Sequence, residues 1–318
     1  MAQDPRIGRE ILPIPDLPTR STPALHASDA SAPPIVPLRP PAGAPNILIV
    51  LIDDMGFGAT SAFGGPCETP TLERLAAGGL AYNRFHTTAL CSPTRQALLT
   101  GRNHHSAEMG SVGEVATSMP GNTSVRPNTV ATVAEMLRLN GYSTSAFGKM
   151  HQTPVWETSV SGPFDRWPTG DGFDKFWGFV AGETNQWEPT LFEGTTPTEP
   201  RATAAEGYHI TEEQVDQAIE WVKAQKTMTP DKPFFMYMSY GATHAPHHAP
   251  KEWIDKYRGR FDRGWDTVRA ETLANQIETG LVPEGTELTA RPPGVEAWED
   301  LTDEQRLVGA RLMEAYAG

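Results

Sequence analysis

Residues Ile47 to Ile52 form an unbroken apolar run rich in β-branched side chains, and the run stops abruptly at Asp53 and Asp54. A run of this kind marks a strand buried on both faces of a parallel sheet. Helical patterns alternate with further strand patterns downstream. This predicts the α/β class, with a mixed, mainly parallel sheet flanked by helices. Thr69-Pro70 opens a helix with an apolar face of Leu72, Leu75 and Ala76, stopped by Gly78-Gly79. Leu80 to His86 reads as a short strand. Pro93 to Thr100 reads as a helix closed by Gly101, and Val130 to Asn140 as an amphipathic helix ended by Gly141. Tyr142 to Phe147 and Phe234 to Tyr240 read as the second and third strands. Thr211 to Gln214 reads as a capping box opening a helix to about Lys226. Residues 152–208 and 245–298 read as long loops, and Asp300 to Ala317 as a helix.

The first 45 residues hold 11 of the 29 prolines, including Pro33-Pro34 and Pro40-Pro41. Proline at that density sustains neither helix nor central strand, so an extended arm is expected over 1–45. The formal charge of −13 argues against nucleic acid or an anionic lipid surface as a partner. No apolar run approaches the length needed to span a membrane. Two cysteines, Cys67 and Cys91, allow one disulfide but not a disulfide scaffold. The N-terminus has no positive head followed by an apolar stretch of signal length, which points to the cytoplasm.

In open α/β sheets, sites lie beyond the carboxyl ends of the strands. That rule selects Asp53 and Asp54 after the first strand. It selects Gly148, Lys149, Met150 and His151 after the second, and His244 after the third. Adjacent carboxylates repel, and a bound hard cation such as Ca²⁺ or Mg²⁺ relieves them; a solvated turn is the other reading. Pro93 fits a first helical turn and places Cys91 just before the helix, where free amides favour an anion and can activate a thiol. Arg95 could turn back to the same spot, although a small buried cysteine beside a surface arginine also fits. Lys149 and His151 supply a point cation and a proton-transfer group. His247, His248, His104 and His105 read as surface or mouth-lining residues. Trp156, Trp167, Trp177 and Trp187 could line an aromatic mouth or simply pack.

Ala89-Leu90-Cys91-Ser92-Pro93-Thr94-Arg95-Gln96-Ala97-Leu98-Leu99-Thr100-Gly101 resembles the first signature of the formylglycine-dependent (type I) sulfatases, members of the alkaline phosphatase superfamily. Gly141 to Lys149 resembles their second signature. Asp53-Asp54 sits where that family keeps its first metal ligands, and Thr69-Pro70-Thr71-Leu72 also looks familial. Met150 stands where tryptophan is common. The likeness runs from Asn46 to the C-terminus and is closest to large bacterial arylsulfatases.

The resemblance implies that Cys91 is oxidised to formylglycine by a formylglycine-generating enzyme that reads Cys-x-Pro-x-Arg. The hydrated aldehyde attacks the sulfur of a small-molecule sulfate ester, the alcohol or phenol leaves, and collapse expels sulfate. A Ca²⁺ ion, with Mg²⁺ as the alternative, would sit on Asp53 and Asp54 with residue 91 as a further ligand. Arg95 would hold the diol, and Lys149 would bind sulfate. His151 would take the diol proton, and His244 would contact the sulfate and the leaving oxygen. The family completes its metal site with a later Asp-Asn pair and adds a later lysine. This sequence has no Asp-Asn dipeptide and no lysine after Lys256. Residues 46–318 are therefore expected to be the N-terminal portion of the catalytic domain, lacking later strands and a C-terminal domain, with an exposed edge that lowers solubility. Two alternatives to aryl sulfate hydrolysis follow. One is a phosphonate monoester or phosphodiester hydrolase of the same superfamily, and the other an inactive fragment.

Overall fold

The structure is a computed structural model describing residues 8–15, 21–31 and 35–318. The chain divides into two compact units. One comprises Met1–Leu51 and Thr88–Tyr240, and the other Ile52–Thr87 and Gly241–Gly318. Pro33-Pro34 of the expected arm lies outside the described residues. The described residues of the arm are mostly irregular. Arg9 ties it down by donating to Asn140 Oδ1 (3.0 Å) and to Arg39 O (2.5 Å).

The first unit is built on a six-stranded sheet. Its strands are β1 (Ile47–Leu51), β2 (Ser143–Lys149), β3 (Lys175–Phe179), β4 (Leu191–Glu193), β5 (Thr196–Thr198) and β6 (Phe234–Ser239), in spatial order β1-β6-β2-β3-β4-β5. The pairs β1–β6, β6–β2 and β2–β3 are parallel, while β3–β4 and β4–β5 are antiparallel. This is the mixed, mainly parallel sheet expected from the sequence. Side chains alternate across the strands into two cores. Ala146, Phe176, Phe235 and Tyr237 face one, with Leu99 of helix α2 (Cys91–Thr100) and Ala134 of α3 (Val133–Leu139). Phe147, Trp177, Phe179, Met236 and Met238 face the other, with Ile210 and Ala218 of α4 (Ile210–Met228). Burial of each large side chain contributes about 1.5–3 kcal/mol.

Several local expectations are corrected. Strand β1 is not buried on both faces: Leu48 is 57% and Val50 50% exposed. It is an edge strand, and α4 packs over β2 and β3 instead. Leu80 to His86 is not a strand, and Leu80, Tyr82 and Phe85 lie exposed. Residues 152–208 contain β3, β4 and β5. Their glycines suggested loops, yet Gly178 is needed inside β3, because a Cβ there would sit 2.1 Å from Gly148 O. Helix α3 starts at Val133, after Thr132 caps the Glu135 amide at 3.1 Å. Helix α4 is capped by His209, whose Nδ1 accepts from Thr211 N at 3.3 Å, so Thr211 lies within the first turn.

The second unit contains α1 (Pro70–Gly78), α5 (Lys251–Asp255), α6 (Gly264–Glu278) and α7 (Asp303–Ala317), with Val268 of α6 and Ala310, Met313 and Ala317 of α7 packed with Tyr257 and Phe261. Helices α5 and α6 occupy a stretch read as loop, because short length and a broken apolar stripe hid them. No helix among the described residues is long and apolar enough to cross a membrane.

One buried ion pair gives the first unit a pH dependence. Asp171 is 5% exposed and pairs with Arg126. Burial pushes its carboxyl up from the ordinary 3.8 to about 6, outweighing Arg126. The folded state therefore holds the proton more tightly than the unfolded chain. This contribution to stability is complete below pH 3.8 and is lost as pH rises through about 6. Urea midpoints should fall across that window, and Asp171→Asn should flatten that part of the profile. An identical slope in the variant would show that the group is not responsible.

Candidate active site

Helix α2 begins at Cys91, with Leu90 as its extended N-cap and Gly101 (φ 65°) closing it in the left-handed region. The thiol thus sits among the unpaired amides of a first turn, on the positive end of the helix dipole. Pro93 follows within that turn, where its missing N–H costs nothing. Cys91 Sγ lies 3.0 Å from His151 Nδ1. His151 is placed just beyond β2, two residues after Lys149.

Arg95 and Lys149 are fully buried. Arg95 lies one helical turn beyond Cys91. Its Nη1 donates to Lys149 O (3.0 Å), to Ser239 Oγ and to Tyr237 Oη (3.5 Å). The guanidinium therefore ties α2 to the carboxyl ends of β2 and β6. Four residues singled out from sequence, Cys91, Arg95, Lys149 and His151, belong to this one unit. Two buried cations and a helix N-terminus make a region suited to an anion.

Sequence reasoning missed Glu114. It lies in a single 3₁₀ turn, Gly113–Val115, and both its carboxylate oxygens stand at 2.9 and 3.0 Å from His151 Nε2. No motif surrounds it, so no local signal could have found it. Ser239 was also missed, although it is the last residue of β6 and the strand-end rule reaches it. Burial holds His151 below its ordinary 6.5. Glu114 opposes this, while Lys149 and Arg95 add to it. Burial pulls Glu114 upward, yet its own backbone N–H, His151 and Lys149 together hold it below the usual carboxylate value. At neutral pH the pair is therefore a carboxylate accepting from a neutral imidazole.

In the second unit, Asp53, Asp54 and His244 each offer a ligand atom within 4.8 Å of one another. Asp53 is buried, and its main chain is bound to the 242–243 segment. Its N donates to Ala242 O (3.1 Å), and its O accepts from Thr243 N (2.8 Å) and Thr243 Oγ1 (2.9 Å). Asp54 adopts a left-handed conformation (φ 54°), one that aspartate tolerates better than most residues. Tyr316 donates to its carbonyl at 2.9 Å. His244 Nε2 lies 3.7 Å from Asp54 Oδ2, and its Nδ1 donates to Ala245 O at 2.6 Å. Two carboxylates and an imidazole nitrogen fit a divalent cation.

Of the remaining candidates, Trp156 is exposed, and several others have structural roles. His104 Nδ1 bonds Met109 O, and Trp167 and Trp177 are core residues. His247 packs edge-on against Tyr316. Both cysteines are free thiols. Burial pushes the Cys67 thiol up to about 11, which makes it a poor nucleophile.

A sequence model of the sulfatase family matches residues 45–318. An uncharacterized sulfatase of Schizosaccharomyces pombe is 32% identical over 300 residues, covering 86% of this chain and 51% of the relative. An arylsulfatase of Klebsiella aerogenes is 30% identical over 284 residues, covering 86% and 58%. The solved structure of yidJ from Bacteroides fragilis superposes with a TM-score of 0.60 at 18% identity, over 86% of this chain and 55% of that one. The chain spans about half the length of the curated relatives it matches.

Proposed function

The chain belongs to the sulfatase family, and on that premise we propose that it hydrolyses aryl sulfate monoesters through a nucleophile made from Cys91. The observation that carries this reading is the Cys91–His151 contact at 3.0 Å on the first turn of α2, with Arg95 and Lys149 buried in the same unit. A partner enzyme that reads Cys91, Pro93 and Arg95, using an external oxidant, converts the residue 91 thiol to the aldehyde. A hydroxyl of its hydrate attacks sulfur as the S–O bond to the phenol breaks and the phenol leaves. Loss of the second hydroxyl's proton then breaks the C–O bond to the sulfate, regenerating the aldehyde and releasing sulfate.

The other side chains have separable tasks. The α2 amides and Lys149 bind the sulfate oxygens and offset their charge in a chain whose net charge is −13. Arg95, braced by Ser239 and Tyr237, holds the position-91 oxygens. His151 Nδ1 takes the proton released at residue 91. Asp53 and Asp54, with His244 beside them, would hold a divalent cation, Ca²⁺ in our reading, which supplies Lewis-acid polarisation. His244 also remains our candidate for contact with the sulfate and the leaving oxygen.

The test is hydrolysis of an aryl sulfate against an aryl phosphodiester by the purified, converted protein. We expect sulfate release to dominate, to fall to background after EDTA treatment, and to return with added Ca²⁺. A strong diester preference would assign the chain to phosphoryl chemistry. Sulfate release that is unaffected by chelation would remove the metal from the account. Absence of all turnover would mark these residues as an inactive piece.

A further inference from the structure

His151 is offered to residue 91 by one nitrogen and gripped by its other. Nδ1 faces Cys91 Sγ at 3.0 Å, and Nε2 faces both oxygens of Glu114 at 2.9 and 3.0 Å. A carboxylate only accepts hydrogen bonds, so the proton of the neutral ring must lie on Nε2. That leaves a bare lone pair on Nδ1, aimed at position 91. The chain packs tightly around this arrangement. A Cβ at position 182 would meet His151 Cε1 at 2.7 Å, Nε2 at 2.8 Å and Glu114 Oε1 at 3.3 Å, so Gly182 leaves room for the pair that any other residue would occupy. The ring is buried, whereas the Glu114 side chain is about half exposed, at 49%. Removing the carboxylate therefore leaves no sealed void.

We propose that Glu114 is a positioning residue: it fixes the orientation and tautomer of His151, so that Nδ1 is always the acceptor for the proton released at residue 91. The arrangement is a carboxylate–imidazole–nucleophile relay in which the carboxylate never touches the substrate. Once Nδ1 takes the proton, the ring is cationic, and Glu114 lies against that new charge. Proton and charge then balance within the pair. The role rests on the sulfatase reading for its kinetic consequence but not for its geometry.

The test uses Glu114→Ala and Glu114→Gln in the full chain, with two readouts. In aryl sulfate turnover, E114A should lower kcat roughly ten- to hundredfold, the usual cost of losing a partner behind a working imidazole. KM should change little, because Glu114 contacts no substrate. E114Q keeps an amide oxygen that accepts from Nε2–H and should recover most of kcat. Imidazole nitrogen shifts of isotope-labelled histidine give the second readout, independent of activity. Wild type and E114Q should show His151 with a protonated Nε2 and a bare Nδ1, and E114A should show averaging of the two tautomers. A wild-type His151 carrying its proton on Nδ1 overturns the proposal, as does an E114A enzyme with unchanged kcat. If the wild type releases no sulfate, the functional reading fails, and the nitrogen spectra alone decide the positioning role.

Discussion

If the proposed function holds, Cys91→Ala should eliminate sulfate release, with kcat falling at least about a thousandfold, the scale on which removing a covalent nucleophile acts. The size of the effect follows from what no neighbour can replace. Position 91 sits on the first turn of α2, with His151 Nδ1 at 3.0 Å, and Cys67 is the only other thiol. Burial keeps the Cys67 thiol protonated, near 11, so it cannot stand in. The folded state should be nearly indifferent to the change. Cys91 is only partly buried, and alanine is a good helix former. Circular dichroism and the urea midpoint of the variant should match the parent while sulfate release vanishes. A variant that keeps even a tenth of the parent rate would mean that residue 91 is not the nucleophile.

Gly148→Ala should be the most damaging single-methyl change to the fold, costing on the order of 4 kcal/mol. Gly148 holds φ at 98°, where side chains are strained. Its added Cβ would lie 2.0 Å from Ser239 O and 2.5 Å from Gln214 Oε1. The first of these is backbone of the paired strand β6 and cannot swing away. Relief requires β2 and β6 to part, and that movement carries Lys149 and His151 away from Ser239, which braces Arg95. The variant should be poorly soluble or unfold at a clearly lower urea concentration. A midpoint equal to the parent's would show that the sheet relaxes around the methyl group. The same change ties the fold to the chemistry: the close approach that admits only glycine brings the carboxyl ends of two strands together.

Much of this was legible from residues alone, for reasons that differ by element. The apolar run to Ile52, the strand read over Tyr142 to Phe147 and the helix closed by Gly101 are set by local pattern and turn chemistry, and the structure keeps them, although the second strand runs on to Lys149. Strand-end logic selected Asp53, Asp54, Lys149, His151 and His244 before any likeness was considered, because parallel topology fixes where polar groups can gather. Partnership was illegible. Leu48 and Val50 read as buried because their run is apolar, but exposure depends on which neighbours a strand has, and among the described residues β1 pairs with β6 alone. Strand β3 was hidden by Gly178, whose role appears only when Gly148 lies against it. Glu114 was invisible because a contact between residues 37 apart in the sequence leaves no trace in spacing. Helix α6 was missed because its apolar residues form no clean stripe.

The most direct measurement is the mass of the tryptic peptide spanning residues 85–95, taken from a preparation whose aryl sulfate turnover has been recorded. We predict that the peptide has lost the thiol sulfur and carries an aldehyde at position 91 that forms a hydrazone, and that the converted fraction scales with activity across preparations. An active preparation in which that peptide keeps an intact thiol throughout would contradict the account.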